Sequence, residues 1–211
     1  DSLAFTCKKE VNPPLDPEAE GWYRHARDLQ KRDEDKNIQT IVQFFQKAIE
    51  RKHYNAMHRL ALLYIDGAEG LAPDERKAVE LVERVIALNV PSGYFQMGVF
   101  LEQGIGVRQD RKAALVYMRK AADMGSPQAQ FAVGKKLLDV EDRVVRLKTS
   151  PVGKAMLECA LSQGLGDAGY HLSVHVSIAD KNTEQALKLL QAAAALGHGP
   201  SLFSLFDAFS K

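Results

Sequence analysis

A helix-length pattern that recurs along the chain constrains its fold more than any other feature of the sequence. In its complete form a small residue is followed by an apolar residue at +4, a small residue at +5, a bulky residue at +8 and glycine at +11. The pattern is clearest in residues 56–67 and 93–104, and weaker copies begin at Ala129, Ala168 and Ser201. Positions +4, +5 and +8 share one face of an α-helix. Each copy therefore predicts a helix with one packing stripe, in which the small +5 residue lets a neighbouring helix approach closely.

A second helical pattern follows each copy of the first. It places a small residue at 0, an apolar residue at +3, a small or apolar residue at +7 and a helix stop at +11. Glycine and asparagine, the residues that left-handed helix C-caps favour, occupy most of these stops. The stops, the first of them degenerate, recur every 33 to 39 residues at His53, Asn89, Gly125, Gly164 and Gly197. This period predicts an all-α fold, a right-handed α/α solenoid of about five stacked helical pairs.

Two segments depart from the repeat. Residues 1–17 contain three prolines and predict an extended N-terminal segment. The charged residues 139–150 predict an insertion that lengthens the connection between the two helices of the third pair. The rest of the chain predicts one solenoid domain over residues 18–211. Its helices are expected near residues 18–31, 38–52, 54–66, 74–88, 92–103, 110–124, 127–139, 151–163, 167–179, 182–196 and 199–209.

The clearest copies resemble Sel1-like repeats, which are relatives of the tetratricopeptide repeat. The resemblance is strongest in residues 56–67 and 93–125, where Gly104, Gly106 and Val107 match the loop between the two helices of the family's repeat. It extends more loosely over residues 54–211. It implies a solenoid scaffold whose common property is protein binding.

The N-terminal part has a narrower resemblance. It is similar to bacterial periplasmic Sel1-like proteins encoded beside type VI secretion phospholipases, for which they serve as immunity proteins. The matching residues are Phe5, Cys7, Pro14–Pro17, Trp22, Tyr23, Ala26, Arg27, Phe44, Phe45 and His53–Met57. The resemblance implies a non-catalytic periplasmic protein that binds a phospholipase D-type effector and inhibits it sterically. Two alternatives are a Sel1-like adaptor that assembles envelope or signalling complexes, and a β-lactam-binding or hydrolysing Sel1-like enzyme, whose repeated disulfides two cysteines cannot supply.

Charge and motif content argue against other functions. Lys and Arg number 28 and Asp and Glu 27, without a basic stripe, so nucleic acid is not an expected partner. No apolar run approaches the roughly 20 residues of a membrane span. His171 and His175 have the i, i+4 spacing of metal ligands but no third ligand at suitable spacing. We therefore predict no metal, no cofactor and no catalytic site. The chain begins at Asp1 without methionine, so we expect that a leader has been removed.

The two cysteines, Cys7 and Cys159, leave two interpretations open. They are either two isolated buried thiols or a single disulfide that ties the N-terminal segment to the solenoid. A disulfide makes sense only in an oxidising compartment such as the periplasm.

The predicted partner-binding surface lies on the first helices of the pairs. By analogy with tetratricopeptide geometry, these helices line a concave face, and their position 2 carries an aromatic ladder that ends at Phe203. Aromatic side chains there could anchor a partner or could pack between helices. Because the exposed ends of two solenoids can pair, a homodimer is a further alternative. The predicted partner-binding residues are His58, Arg59, Phe95, Gln96, Glu102, Phe131, Lys135, Tyr170 and His171.

Overall fold

The computed structural model describes the backbone of residues 4–209 and the side chains of residues 4–33 and 37–205. Over these residues the chain forms ten α-helices, so the predicted all-α fold is confirmed. None of the described helices has the length and apolar composition that a membrane span requires. The helices are α1 (Pro17–Glu50), α2 (Tyr54–Asp66), α3 (Glu75–Ala87), α4 (Pro91–Gln103), α5 (Arg111–Asp123), α6 (Pro127–Leu138), α7 (Arg143–Ser162), α8 (Gly166–Ile178), α9 (Thr183–Ala195) and α10 (Gly199–Phe209).

The helix stops lie where the repeat places them. Asn89, Gly125, Gly164 and Gly197 all have positive φ, between 56° and 105°. At the degenerate first stop the positive φ falls one residue earlier, on Lys52 at 59°. Left-handed backbone at these positions ends the second helix of each pair and turns the chain toward the next one.

Two helix boundaries differ from the predicted ones. Residues 18–31 and 38–52 were expected to form separate helices, whereas α1 runs through both with a kink at Asp33, where the backbone is extended. More importantly, α7 begins at Arg143, so most of the 139–150 segment is helical and does not lengthen the connection. Proline at position 151 favours a helix start, but Asp142 caps an earlier one by accepting the backbone N–H groups of Val144 and Val145 at 2.8 and 2.9 Å.

The chain divides into two compact units, residues 11–118 and residues 1–10 with 119–211. The division into an N-terminal segment of residues 1–17 and one domain of residues 18–211 stays a prediction. The unit of residues 11–118 has an apolar core to which α1, α2, α3 and α4 contribute. Its largest fully buried side chains include Ile41, Phe45, Met57, Val82, Val85 and Phe100.

A buried histidine joins α1 to α2 within this unit. His53 is fully buried, and its Nδ1 accepts the backbone N–H of Ala56 at 3.1 Å, which caps α2. Its Nε2 lies 2.9 Å from a carboxylate oxygen of Glu20, and its ring stacks on Tyr23 with centroids 4.7 Å apart. Since Nδ1 accepts, Nε2 carries the proton and donates to Glu20.

The unit of residues 1–10 and 119–211 has its own apolar core, built by α6, α7, α8 and α9 around Leu157 and Leu172. Its N-terminal segment lies directly against the end of α5, because a Cβ on Gly125 would lie 2.6 Å from the backbone of Lys9. A buried glutamine, Gln130, donates to the carbonyl of Lys8 at 3.1 Å. The segment is therefore held by backbone-directed contacts as well as by a covalent bond.

That covalent bond is a disulfide between Cys7 and Cys159 on α7. The two Cα atoms are 5.6 Å apart, which is the usual separation for a disulfide. The bonded cysteines are 152 residues apart in sequence. The bond thus closes a long loop between the start of the chain and the unit's central helix.

We expect Gly98→Leu to lower the free energy of unfolding by roughly 1–3 kcal/mol, because there is no room for a side chain at this +5 position. An added Cβ would lie 2.6 Å from Cγ of Met118 and 3.1 Å from the carbonyl oxygen of Ala114, both on α5. Urea denaturation measures the change. The matched control is Gly21→Leu on α1, where no atom lies within 4 Å of an added Cβ and where leucine favours the helix. Equal stability of the two variants would contradict the assigned register.

We expect no free thiol when the protein is denatured without a reductant, because both cysteines are bonded. Replacing both Cys7 and Cys159 with serine should lower the free energy of unfolding by about 2–5 kcal/mol, since the unfolded chain regains the freedom of a long loop. Thiol titration and urea denaturation test the two statements. Two reactive thiols per chain would refute the bond.

Candidate protein-binding site

Five of the predicted partner-binding residues lie in the unit of residues 11–118. His58 and Arg59 are on α2, and Phe95, Gln96 and Glu102 are on α4. All five side chains are half-buried. Half-burial is compatible both with packing between helices and with contact to a partner, so the two interpretations stay open for these residues.

His58 has the character of a packing residue. Burial lowers its pKa, and the charge of Arg59 lowers the pKa further. Its Nδ1 is buried, and among the described residues that atom has no hydrogen-bond partner. The ring is therefore neutral at neutral pH and contributes mainly apolar area to the helix interface. Arg59 lies on a separate face and lines a shallow cavity of about 330 Å³ between α1 and α2.

The other four predicted residues form a cluster in the unit of residues 1–10 and 119–211. The ring of Phe131 on α6 lies 5.2 Å from the ring of His171 on α8, and Tyr170 meets the same histidine edge-on at 5.8 Å. Tyr170 also contacts His198, with ring centroids 5.3 Å apart. Lys135 is exposed one turn beyond Phe131. The ring contact between the two successive pairs thus joins Phe131 to His171, while Phe203 is 73% exposed on α10.

This cluster borders a groove between α6, α7 and α8, which we call the α7 groove. It encloses about 790 Å³, and both Lys135 and His171 line it. Three of its apolar side chains are unusually open to solvent: Leu147 on α7 is 70% exposed, and Val174 and Ile178 on α8 are 40% and 73% exposed. Exposed apolar side chains that lie together in this way often mark a binding surface, whereas single exposed apolar side chains are ordinary.

Basic side chains outnumber acidic ones along the same groove. Four cationic and two acidic side chains line it: Lys135, Arg143, Arg146, Lys154, Asp139 and Asp180. One pair is internal, since Lys154 donates to the carboxylate of Asp180. Over the residues whose side chains are described, Lys135 and Arg143 take part in no ion pair. The α7 groove therefore presents a positive rim around apolar side chains.

Two histidines complete the lining. Burial lowers the pKa of His171, and the nearby charge of Lys135 lowers it further. Burial likewise lowers the pKa of His175, with Lys154 adding to the effect. Both rings are therefore uncharged at neutral pH. Within the described part of the chain, no three His, Cys, Asp or Glu side chains are grouped so that they could hold a metal ion.

Sequence reasoning missed the α7 side of this groove. Arg143, Arg146 and Leu147 belong to the 139–150 segment, which was expected to be a connection and was, with the N-terminal segment, only the alternative place for partner binding. The signal that could have found them is Asp142, which stands at an N-cap ahead of alternating apolar and basic residues at helical spacing.

Comparison with known proteins places these features in a family. The sequence model of the Sel1 repeat matches residues 55–89, 91–126 and 170–198. The crystal structure of the immunity protein Pa5087 from Pseudomonas aeruginosa is similar to this chain with a TM-score of 0.76. The two are 34% identical over 94% of this chain and 74% of that one. The immunity protein PA5088 from the same organism gives a TM-score of 0.74 at 33% identity, over 94% of this chain and 74% of that chain.

A longer relative is known from sequence. An uncharacterised protein of Neisseria meningitidis, NMB1327, is 29% identical over 165 residues, which are 78% of this chain. The chain spans about a third of that protein's length, 34%. The repeats and the structural similarity over nearly the whole chain agree, and the protein belongs to the Sel1-repeat family that includes the Pseudomonas immunity proteins.

Proposed function

We propose that this protein is an immunity protein that binds a toxic effector and blocks it. The observation that carries the proposal is the 34% identity with the immunity protein Pa5087, which extends over 94% of this chain. Coverage this high must include most of α1, which lies outside the matched Sel1 repeats. Proteins that share only the repeat, such as one from Oxalobacter formigenes at 24% identity, support the fold alone.

The proposed mechanism is steric and requires no chemistry from the chain itself. Half-buried aromatic side chains such as Phe95 and Phe131, with polar neighbours such as Gln96 and Lys135, can anchor a protein partner. A few such side chains usually carry most of the binding energy, and charged groups at the rim set orientation and association rate. A bound solenoid that covers the entrance of a catalytic site would exclude the substrate.

The proposed location is the periplasm, and the proposed effector is a phospholipase of the phospholipase D type. The disulfide between Cys7 and Cys159 supports an oxidising compartment, because such bonds do not persist in a reducing cytoplasm. The effector class rests on the N-terminal resemblance described above. A membrane-attacking enzyme delivered to the periplasm would have to be met there by its inhibitor.

The test uses the purified chain and the phospholipase D-type enzymes of the bacterium that encodes it. Release of the headgroup from phosphatidylglycerol vesicles is measured while the chain is titrated into the enzyme. We expect inhibition to be complete near one chain per enzyme, and light scattering should show a stable complex. The same measurement on the free chain reports whether it forms a homodimer. Full phospholipase activity at a large excess of the chain would refute the proposal.

A matched pair of lysines tests the proposed site. Lys135 lines the α7 groove and Lys136 does not, although both are exposed on the same helix. We expect Lys135→Glu to weaken effector binding at least tenfold and to change its salt dependence, because a rim charge is reversed. We expect Lys136→Glu to bind like the unchanged chain. Lys135→Glu should keep the free energy of unfolding within about 0.5 kcal/mol. Equal affinity of the two variants for the effector would show that the binding surface does not include this part of α6.

A further inference from the structure

We propose that the α7 groove holds a segment of the partner that presents apolar side chains flanked by carboxylates. The inference deepens the proposed function, because it rests on the partner being a protein and names the chemistry of the part that docks. It follows from three properties of the groove: open apolar side chains, an excess of positive charge and a rigid wall.

The apolar side chains require an occupant that removes them from water. Leu147, Val174 and Ile178 come from two different helices and line one recess. Leu147 and Ile178 are each at least 70% exposed, so most of their surface is available to a partner. Apolar area buried at the centre of an interface is a main source of binding energy. A fully polar segment could not use these side chains.

The charges select an acidic segment over a basic one. Lys135, Arg143 and Arg146 favour anionic groups on the partner. Apart from Asp180, which pairs with Lys154, the lining contains one carboxylate, Asp139. Arginine forms paired hydrogen bonds with carboxylates, which favours glutamate or aspartate at the rim. A basic segment would place like charges opposite each other and bind poorly.

The wall of the groove is fixed before a partner arrives. Thr149 on α7 donates from Oγ1 to the carbonyl of Leu137 at the end of α6, at 2.8 Å. Asp142 caps the first turn of α7, which carries Arg143 and Arg146. The turn that supplies the basic rim is therefore held on α6. A preorganised site loses less conformational freedom when it binds.

The groove also differs from a membrane-binding surface. Anionic lipid is recognised by basic side chains spread over a face that can lie flat on the bilayer. Here the exposed apolar side chains border a recess of about 790 Å³, a size that admits a short stretch of chain. A protein segment is therefore the occupant that both the shape and the charge fit.

The test uses three labelled synthetic peptides of equal length. The first carries leucines on one face of a helix and glutamates beside them. The second replaces each glutamate with lysine. The third keeps the glutamates and replaces each leucine with serine. Fluorescence anisotropy with the full chain measures their affinities. We expect the first peptide to bind at least tenfold more tightly than either of the others, and its affinity to fall as salt rises.

Variants of the chain show whether the peptide uses this groove. We expect Leu147→Glu to weaken binding of the leucine–glutamate peptide at least tenfold. The control is Val116→Glu on α5, whose side chain is 69% exposed outside the groove and which should bind the peptide unchanged. Far-ultraviolet circular dichroism confirms that both variants are folded. Equal loss in the two variants, or no loss in Leu147→Glu, overturns the inference.

The phospholipase assay separates this inference from the proposed function. If the effector is inhibited and Leu147→Glu inhibits it equally well, the function stands and the groove is not the docking site. If the effector is not inhibited while the peptide and its variants behave as expected, the groove inference stands and the immunity role falls. Phosphatidylglycerol vesicles without enzyme provide a third arm. If the vesicles bind in a Leu147-dependent way and the three peptides bind equally, the occupant of the groove is a membrane and the inference of a protein segment is wrong.

Discussion

The fold depends on how closely neighbouring helices approach at small residues. At Gly98 the next helix comes so near that even a methyl group would overlap it, and Gly134 is similarly close to Leu157. Helix pairs at this distance bury their apolar stripes completely, which is why alanine, valine and methionine suffice for much of the core. Phe45 and Phe100 are fully buried in this core, whereas Phe95 and Phe131 on the first helices are half-buried. Close packing at the small positions is thus compatible with partly exposed aromatic side chains on the first helices.

The repeat predicted what depends on local periodicity. Helix faces, the close contacts at +5 and the left-handed stops at Asn89, Gly125, Gly164 and Gly197 can all be read from spacing, because each is set by neighbours within one or two turns. The segment 139–150 was misassigned because two local signals compete there. Proline at position 151 favours a helix start, whereas Asp142 provides a cap nine residues earlier. The cap prevails because the helix it begins packs against α6.

The candidate site shows a different limit of sequence reasoning. Phe131, Lys135 and His171 were assigned to one surface on the basis of repeat positions, and the structure brings them together. The groove beside them could not be inferred, because it exists only where α7 is longer than the second helix of the other pairs. Leu147, which is exposed, and Arg143, which takes part in no ion pair among the described side chains, belong to the turns of α7 that depart from the repeat. A repeat pattern describes what the pairs share and carries no information on a feature that only one pair has.

The disulfide has a consequence for the order in which the protein can be completed. It joins residues separated by 152 positions, and the compact unit that contains it is interrupted in sequence by residues 11–118. During vectorial synthesis or export the N-terminal cysteine emerges first and must stay unpaired until the helix carrying its partner arrives. Local helix pairs have low contact order and form quickly, whereas closing so long a loop is slow. A chain truncated before α7 therefore lacks the partner thiol, and its Cys7 cannot form the bond that completes the unit.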